Sequence, residues 1–192
     1  MLGTAPESAN AARQETGSIT VHKFLIESQS DYDNLKRRAN GNKIDIETDE
    51  QLKNLKPLAD IGFKLTQVED VPGATPENAQ EMEGGIKKTL TTNAKGELKF
   101  ADLPLGLYKL EELEDNRVKE KMKPVLISVP TYNPEHKTNP QAQEFLYDVY
   151  VYPKNLIYSD GPEIDKDVIT EGNQDGAVDI LSLIHISEPT RP

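Results

Sequence analysis

The sequence predicts an all-β fold with minor helical insertions, and three observations support this prediction. Apolar and polar side chains alternate in several short runs, which is the pattern of half-buried strands. The 192 residues include 13 prolines and 12 glycines, which favour short strands joined by long loops. The polar stretch 28–58 is predicted to contain short helices at 31–38 and 48–55, with Thr48 or Asp49 capping the second.

The first predicted strand, near the N-terminus, carries a lysine among aliphatic residues. Ile19 and Val21 share one face with Lys23, whereas His22 and Phe24 lie on the other. If the aliphatic face forms the core, Lys23 is buried, and a buried ammonium group is costly unless it is paired or neutralised. The alternative is that the face with His22 and Phe24 points inward and that Lys23 is solvated.

The middle of the chain contains further strands and one glutamate on an apolar face. Strands are predicted at residues 61–68, 89–92, 97–100 and 124–129, with a turn at 93–96, a loop or short helix at 71–85 and a loop at 130–143. Between them, Tyr108, Leu110 and Glu112 share a face of an alternating run that starts at Gly106. Desolvation on an apolar face favours the protonated form of a carboxylic acid.

The last predicted strand ends in a proline and a lysine. One face carries Phe145, Tyr147, Val149, Val151 and, if the extended conformation continues, Asn155. Lys154 falls on the opposite face and is predicted to point outward. Because Pro153 cannot donate to a sheet ladder, the strand is an edge strand or ends at this point.

This last strand resembles the pilin motif of sortase-assembled pili on Gram-positive bacteria, a Val-x-Val-Tyr-Pro-Lys pattern. Its residues here are Val149, Val151, Tyr152, Pro153 and Lys154, and Phe145 takes the place that often holds Trp. The resemblance implies that a sortase joins Lys154 to the threonine of a sorting signal on the next subunit. The alternative is that Lys154 is an ordinary solvated charge on an edge strand.

The run from residue 92 to 112 resembles Cna B-type domains, and its end resembles the pilin E box, Tyr-x-Leu-x-Glu, as Tyr108, Leu110 and Glu112. The resemblance implies an immunoglobulin-like or transthyretin-like β-sandwich. The Ala-Pro-x-Gly-Tyr pattern that commonly follows the E box is absent from this chain.

In related pilin domains a lysine and an asparagine condense to an internal amide with loss of ammonia, promoted by a buried acid. The resemblance implies Lys23 and Asn155 as the pair and Glu112 as the catalytic acid. Burial lowers the pKa of the lysine so that a neutral amine can attack, and a protonated glutamate can polarise the amide carbonyl. The alternative is a non-covalent buried network of the same three residues.

Composition excludes several other functions. The formal net charge of -11 argues against nucleic-acid binding, and the absence of cysteine excludes disulfides and thiolate metal sites. The acidic residues 45–50 lack the spacing of an EF-hand, and no Ser–His–Asp set stands out. We therefore expect neither a cofactor nor a metal, and we expect the chain to be a sortase substrate and not an enzyme.

The expected organisation has four parts. They are a truncated signal peptide or disordered N-terminus at 1–13, an N-terminal pilin domain at 14–157, the truncated start of a second pilin domain at 158–180 and an adapter-derived artefact at 181–192.

The expected function is that of a structural shaft subunit in a covalent, extracellular, cell-wall-anchored pilus. Its expected partners are neighbouring pilin subunits, a pilin-specific sortase and host surface molecules. The alternative is a cell-wall-anchored adhesin whose Cna B-type domain binds a host protein or glycan. An adhesin would keep the sandwich and the E box but would not need Lys154.

Overall fold

The described part of the chain folds into two main β-sheets packed face to face, with two smaller sheets of two strands each. The computed structural model describes residues 14–35 and 40–154. The elements in chain order are β1 (Thr16–His22), β2 (Phe24–Leu25), α1 (Gln29–Asn34), β3 (Lys56–Pro57), β4 (Gly62–Val68), β5 (Lys87–Thr91), β6 (Glu97–Pro104), β7 (Gly106–Glu112), β8 (Val125–Val129), β9 (Thr131–Tyr132), the 3-10 helix η1 (Pro134–Lys137), β10 (Phe145–Leu146) and β11 (Asp148–Val151). One main sheet has the order β11-β1-β6 and the other β5-β4-β7-β8, so the predicted all-β sandwich is confirmed.

The inner faces of both main sheets form one hydrophobic core. Ile19 and Phe100 from the first sheet and Leu65 and Leu110 from the second are completely buried in it. Burying each such side chain contributes about 1.5–3 kcal/mol relative to leaving it in water. The described residues include no helix that is long and apolar enough to cross a membrane.

The first and last strands of the domain are neighbours. β1 pairs in parallel with β11, with Ser18 opposite Asp148 and Val21 opposite Val151. The two segments of the chain approach closely at Gly17, where an added Cβ would lie 2.2 Å from the carbonyl oxygen of Tyr147. This parallel contact brings the end of the pilin motif beside β1, the strand that Lys23 directly follows.

The last strand is interrupted, which corrects the prediction of one continuous strand. β10 pairs with β9 and β11 pairs with β1, and between them the carbonyl of Tyr147 accepts a hydrogen bond from Ser18 N–H at 2.8 Å. The change of partner breaks the alternation, so Leu146 is buried whereas Phe145 is only partly buried. Val149 and Val151 are fully buried, as predicted, and β11 is an edge strand that ends before Pro153.

One of the two predicted helices forms. Helix α1 begins after Ser28, whose side chain accepts a hydrogen bond from Asp31 N–H and caps the helix. At residues 48–55 the carboxylate of Asp49 accepts a hydrogen bond from Leu52 N–H at 3.1 Å, as an N-cap does. After this cap the backbone makes a tight turn at Leu52 and enters β3 instead of continuing as a helix. The prediction of a second helix was therefore wrong.

Candidate functional site

Lys23 lies in the core, at the break between β1 and β2. Its exposed fraction is 0%, so the alternative in which it is solvated was wrong. Its N–H donates to the carbonyl of Gly96 at 2.8 Å, and its carbonyl accepts from Leu58 N–H at 3.0 Å. Gly96 has a φ of +76°, and a Cβ there would lie 2.4 Å from the Lys23 carbonyl oxygen. The turn before β6 therefore needs glycine to hold the backbone of Lys23 in place.

Glu112 approaches Lys23 from the opposite sheet, at the end of β7. The lysine Nζ is 3.3 Å from Glu112 Oε1, and neither side chain has exposed surface. Met122 N–H donates to the same carboxylate oxygen at 3.4 Å. Met122 and Val118 are buried, so the loop between β7 and β8 closes over the carboxylate.

Burial determines the electrostatics of this pair. Desolvation lowers the pKa of Lys23, while the charge and the hydrogen bond of Glu112 oppose that shift. Taking two charges out of water is expensive, and their mutual attraction offsets this cost only with good geometry and further hydrogen bonds. The site therefore favours a less basic lysine beside a hydrogen-bonded carboxyl group. Asn155, the predicted partner of Lys23, lies outside the described residues.

Lys154 follows β11 and is held by a different part of the chain. Its Nζ donates a hydrogen bond to the carbonyl oxygen of Leu35 at 2.9 Å. The same nitrogen lies 4.3 Å from the centroid of the Tyr32 ring. The side chain is partly buried, so Lys154 differs from the ordinary solvated charge of the alternative interpretation.

The contacts of Lys154 come from the segment between β2 and β3, residues 26–55, which we call the insertion. Two more hydrogen bonds join the insertion to the last strand. Tyr150 N–H donates to the carbonyl of Gly41, and Ile44 N–H donates to the Tyr152 hydroxyl, both at 2.9 Å. The insertion therefore covers the free edge of β11 around the pilin motif.

Tyr32 and Leu35 are functional candidates that the sequence analysis missed. Both are buried, and they are three residues apart, a spacing that places side chains on one face of a helix. This spacing was the one available signal. It indicates an apolar face but says nothing about which residue that face would meet.

The other motif residues are structural. Tyr108 and Leu110 are buried, and the Tyr108 hydroxyl donates to the carbonyl of Pro104. Burial raises the pKa of Tyr108 to about 12. Val149, Val151 and Pro153 are also buried. Within residues 14–35 and 40–154, no group of three or more His, Cys, Asp or Glu side chains is arranged to hold a metal ion.

His22 lies beside the pilin motif. Its ring stacks on Phe24 with the centroids 4.8 Å apart and faces Tyr152 at 6.1 Å. Its Nδ1 is 3.3 Å from Glu97 Oε2. Desolvation lowers the pKa of His22, although Glu97 acts in the opposite direction. Burial of the His22 ring therefore favours the neutral imidazole.

Comparison with known proteins gives a family match and structural similarity. Residues 14–156 match the sequence model of the family described as Gram-positive pilin subunit D1, N-terminal domain. No curated protein sequence matches the chain significantly.

Among solved structures, the full-length major pilin SpaD from Corynebacterium diphtheriae is similar with 25% identity and a TM-score of 0.54, over 74% of this chain and 32% of that one. A mutant of the shaft pilin SpaA from Lactobacillus rhamnosus GG has the same fold, with 19% identity and a TM-score of 0.51, over 75% of this chain and 52% of that one. The chain thus spans about a third of SpaD and about half of SpaA.

Proposed function

Because the chain belongs to the family of Gram-positive pilin subunit D1 N-terminal domains, we propose that it is part of a structural shaft subunit of a covalently polymerised pilus. Residues 14–157 are its N-terminal domain, and the pilus is extracellular and anchored to the cell wall. The observation that carries the proposal is the family match, which covers 143 of the 192 residues, 14 to 156, and includes Lys154.

Lys154 is the acceptor in the linkage between subunits. A pilin-specific sortase carries the threonine of the neighbouring subunit's sorting signal as an acyl group. The Lys154 nitrogen attacks the threonine carbonyl, the bond to the enzyme breaks, and the amine loses a proton as the amide forms. The domain is therefore the substrate of an enzyme and supplies the nucleophile. The position of Lys154 directly after an edge strand supports this role.

Lys23 and Asn155 form a second, internal linkage, which Glu112 promotes. The neutral amine of Lys23 attacks the side-chain carbonyl of Asn155, Glu112 passes its proton to the leaving nitrogen and takes one from the attacking nitrogen, and ammonia departs. The burial of Lys23 and its 3.3 Å distance from Glu112 support this reaction. A bond between the segments that flank β1 and β11 would close nearly the whole domain into a loop, which constrains the unfolded chain as a disulfide does.

Sortase-catalysed conjugation tests the acceptor role. The chain, a pilin sortase and a sorting-signal peptide are incubated together, and the conjugate is quantified by mass. We expect the parent and a Lys88→Ala variant, which loses an exposed lysine on β5, to form the conjugate equally. The Lys154→Ala variant should form none. Equal conjugation of the Lys154→Ala variant would refute the acceptor role.

A further inference from the structure

The amino group of Lys154 is engaged on two sides in the free chain. It donates a hydrogen bond to the Leu35 carbonyl at 2.9 Å and lies over the Tyr32 ring at 4.3 Å. A carbonyl acceptor and an aromatic face both stabilise the charged ammonium form. An amine that attacks a carbonyl must instead be neutral, with an accessible lone pair. Both contacts therefore oppose the reaction proposed for Lys154.

The element that supplies these contacts is locally weak. Helix α1 has 6 residues and is capped by one hydrogen bond from Asp31 N–H to the Ser28 hydroxyl. A helix of this length is not stable by itself and depends on packing. Here the packing is provided by Tyr32, which is 2% exposed, and by Leu35. The paired strand β11 beneath it is held by a parallel ladder with β1. Movement of α1 is thus less costly than movement of the strand that ends at Lys154.

We propose that Tyr32 and the Leu35 carbonyl mask the Lys154 amine in the free subunit, and that α1 must move away before this amine can attack. The inference rests on the proposed function of Lys154 as the acceptor. Tyr32 is then a positioning residue. It acts on the nucleophile through its ring and controls when the nucleophile becomes available.

Chemical labelling of lysines tests the mask without a sortase. The folded chain is treated with a limiting amount of an amine-acylating reagent, and labelling of each lysine is followed by peptide mass spectrometry. Lys88, which is exposed on β5, is the internal reference. We expect Lys154 of the parent to react about tenfold more slowly than Lys88, because one cation–π contact and one hydrogen bond must be broken.

Two variants at Tyr32 separate the ring from the bulk of the side chain. Tyr32→Phe keeps the aromatic face, so labelling of Lys154 should remain slow. Tyr32→Leu keeps an apolar side chain without a π face. It should increase the labelling rate of Lys154 several-fold and leave the labelling rate of Lys88 unchanged. Equal rates for Lys154 and Lys88 in the parent would overturn the proposal, as would a slow Lys154 in the Tyr32→Leu variant.

A third variant avoids the buried position. Ser28→Ala removes the cap of α1 and leaves the core intact, so it loosens the helix without unfolding the domain. It should accelerate labelling of Lys154 several-fold, and an unchanged rate would count against the proposal. These labelling rates do not depend on whether a sortase uses Lys154. Labelling therefore tests the mask, and sortase conjugation tests the acceptor role separately.

Discussion

Lys23 Nζ and Glu112 Oε1 lie 3.3 Å apart between the two sheets, and both side chains have no exposed surface. Lys23 comes from the break after β1 and Glu112 from the end of β7, so the pair connects the first sheet to the second. This relationship places one titratable amine in the core, separate from the partly buried amine of Lys154. The two lysines therefore serve different chemistry in the proposed account.

The first prediction concerns the stability of the buried pair. Lys23→Met should lower the free energy of unfolding by about 3–5 kcal/mol, because it removes the proposed internal bond and leaves the buried Glu112 carboxyl group without the hydrogen bond from the Lys23 nitrogen. The double variant Lys23→Met/Glu112→Leu should recover part of this loss, since it also removes the carboxyl group that lost this hydrogen bond. Urea unfolding of the parent and both variants measures the difference. Equal stability of the two variants would contradict this explanation.

The second prediction concerns the internal bond itself. The folded parent should be lighter than its sequence mass by one ammonia, whereas the Lys23→Met variant should have the full sequence mass. Glu112→Ala should also keep the full mass, because it removes the acid that transfers the proton. Intact-mass spectrometry reads the result directly. A parent chain with its full sequence mass would contradict the internal bond and would mean that Lys23 and Glu112 form a non-covalent pair only.

The third prediction concerns Gly17. A Cβ at this position would lie 2.2 Å from the Tyr147 carbonyl oxygen, so Gly17→Ala must push β1 and β11 apart. We expect a loss of about 2 kcal/mol or more in the free energy of unfolding. Gly62→Ala is the matched control, because its Cβ would meet the flexible Leu113 side chain at 3.1 Å. Equal losses in the two variants would contradict the close approach at Gly17.

The fourth prediction concerns pH. The pKa of His22 is lowered from 6.5 in the folded chain, chiefly by desolvation, so the unfolded chain binds more protons between the lowered value and 6.5. The free energy of unfolding therefore rises with pH in this window and falls as the pH drops through it. His22→Gln removes this contribution, so its melting temperature should fall less than that of the parent between pH 7.5 and 5.5, a range that spans roughly the usual titration of histidine. An identical fall in both chains would contradict the assignment to His22.

Strand periodicity predicted only part of the buried face of this site. Alternation along β1 left open which face meets the core, and the structure shows why: Ile19 and Val21 are buried, and so are His22 and Phe24 on the other face. Alternation along β7 places Glu112 on the buried face with Leu110. The pairing of Lys23 with Glu112 is a contact between sheets, so it followed from the family resemblance and not from local periodicity.

Contacts that depend on the path of a loop could not be predicted. The interruption at Tyr147 arises because the close approach of Gly17 draws β11 to β1, while β10 pairs with β9. The contact of Lys154 with Leu35 joins positions 119 residues apart through an insertion without strand periodicity. Neither feature leaves a local pattern in the sequence.

The most direct test of the account is to identify the residue that a sortase modifies. The intact chain is conjugated to a sorting-signal peptide by a pilin sortase that is active on its own pilin, and the linked lysine is mapped by tandem mass spectrometry. The account predicts an amide between the peptide's threonine and Lys154, and no amide at Lys88 or any other exposed lysine. An amide at another lysine, or no conjugate with the active sortase, would contradict the central claim.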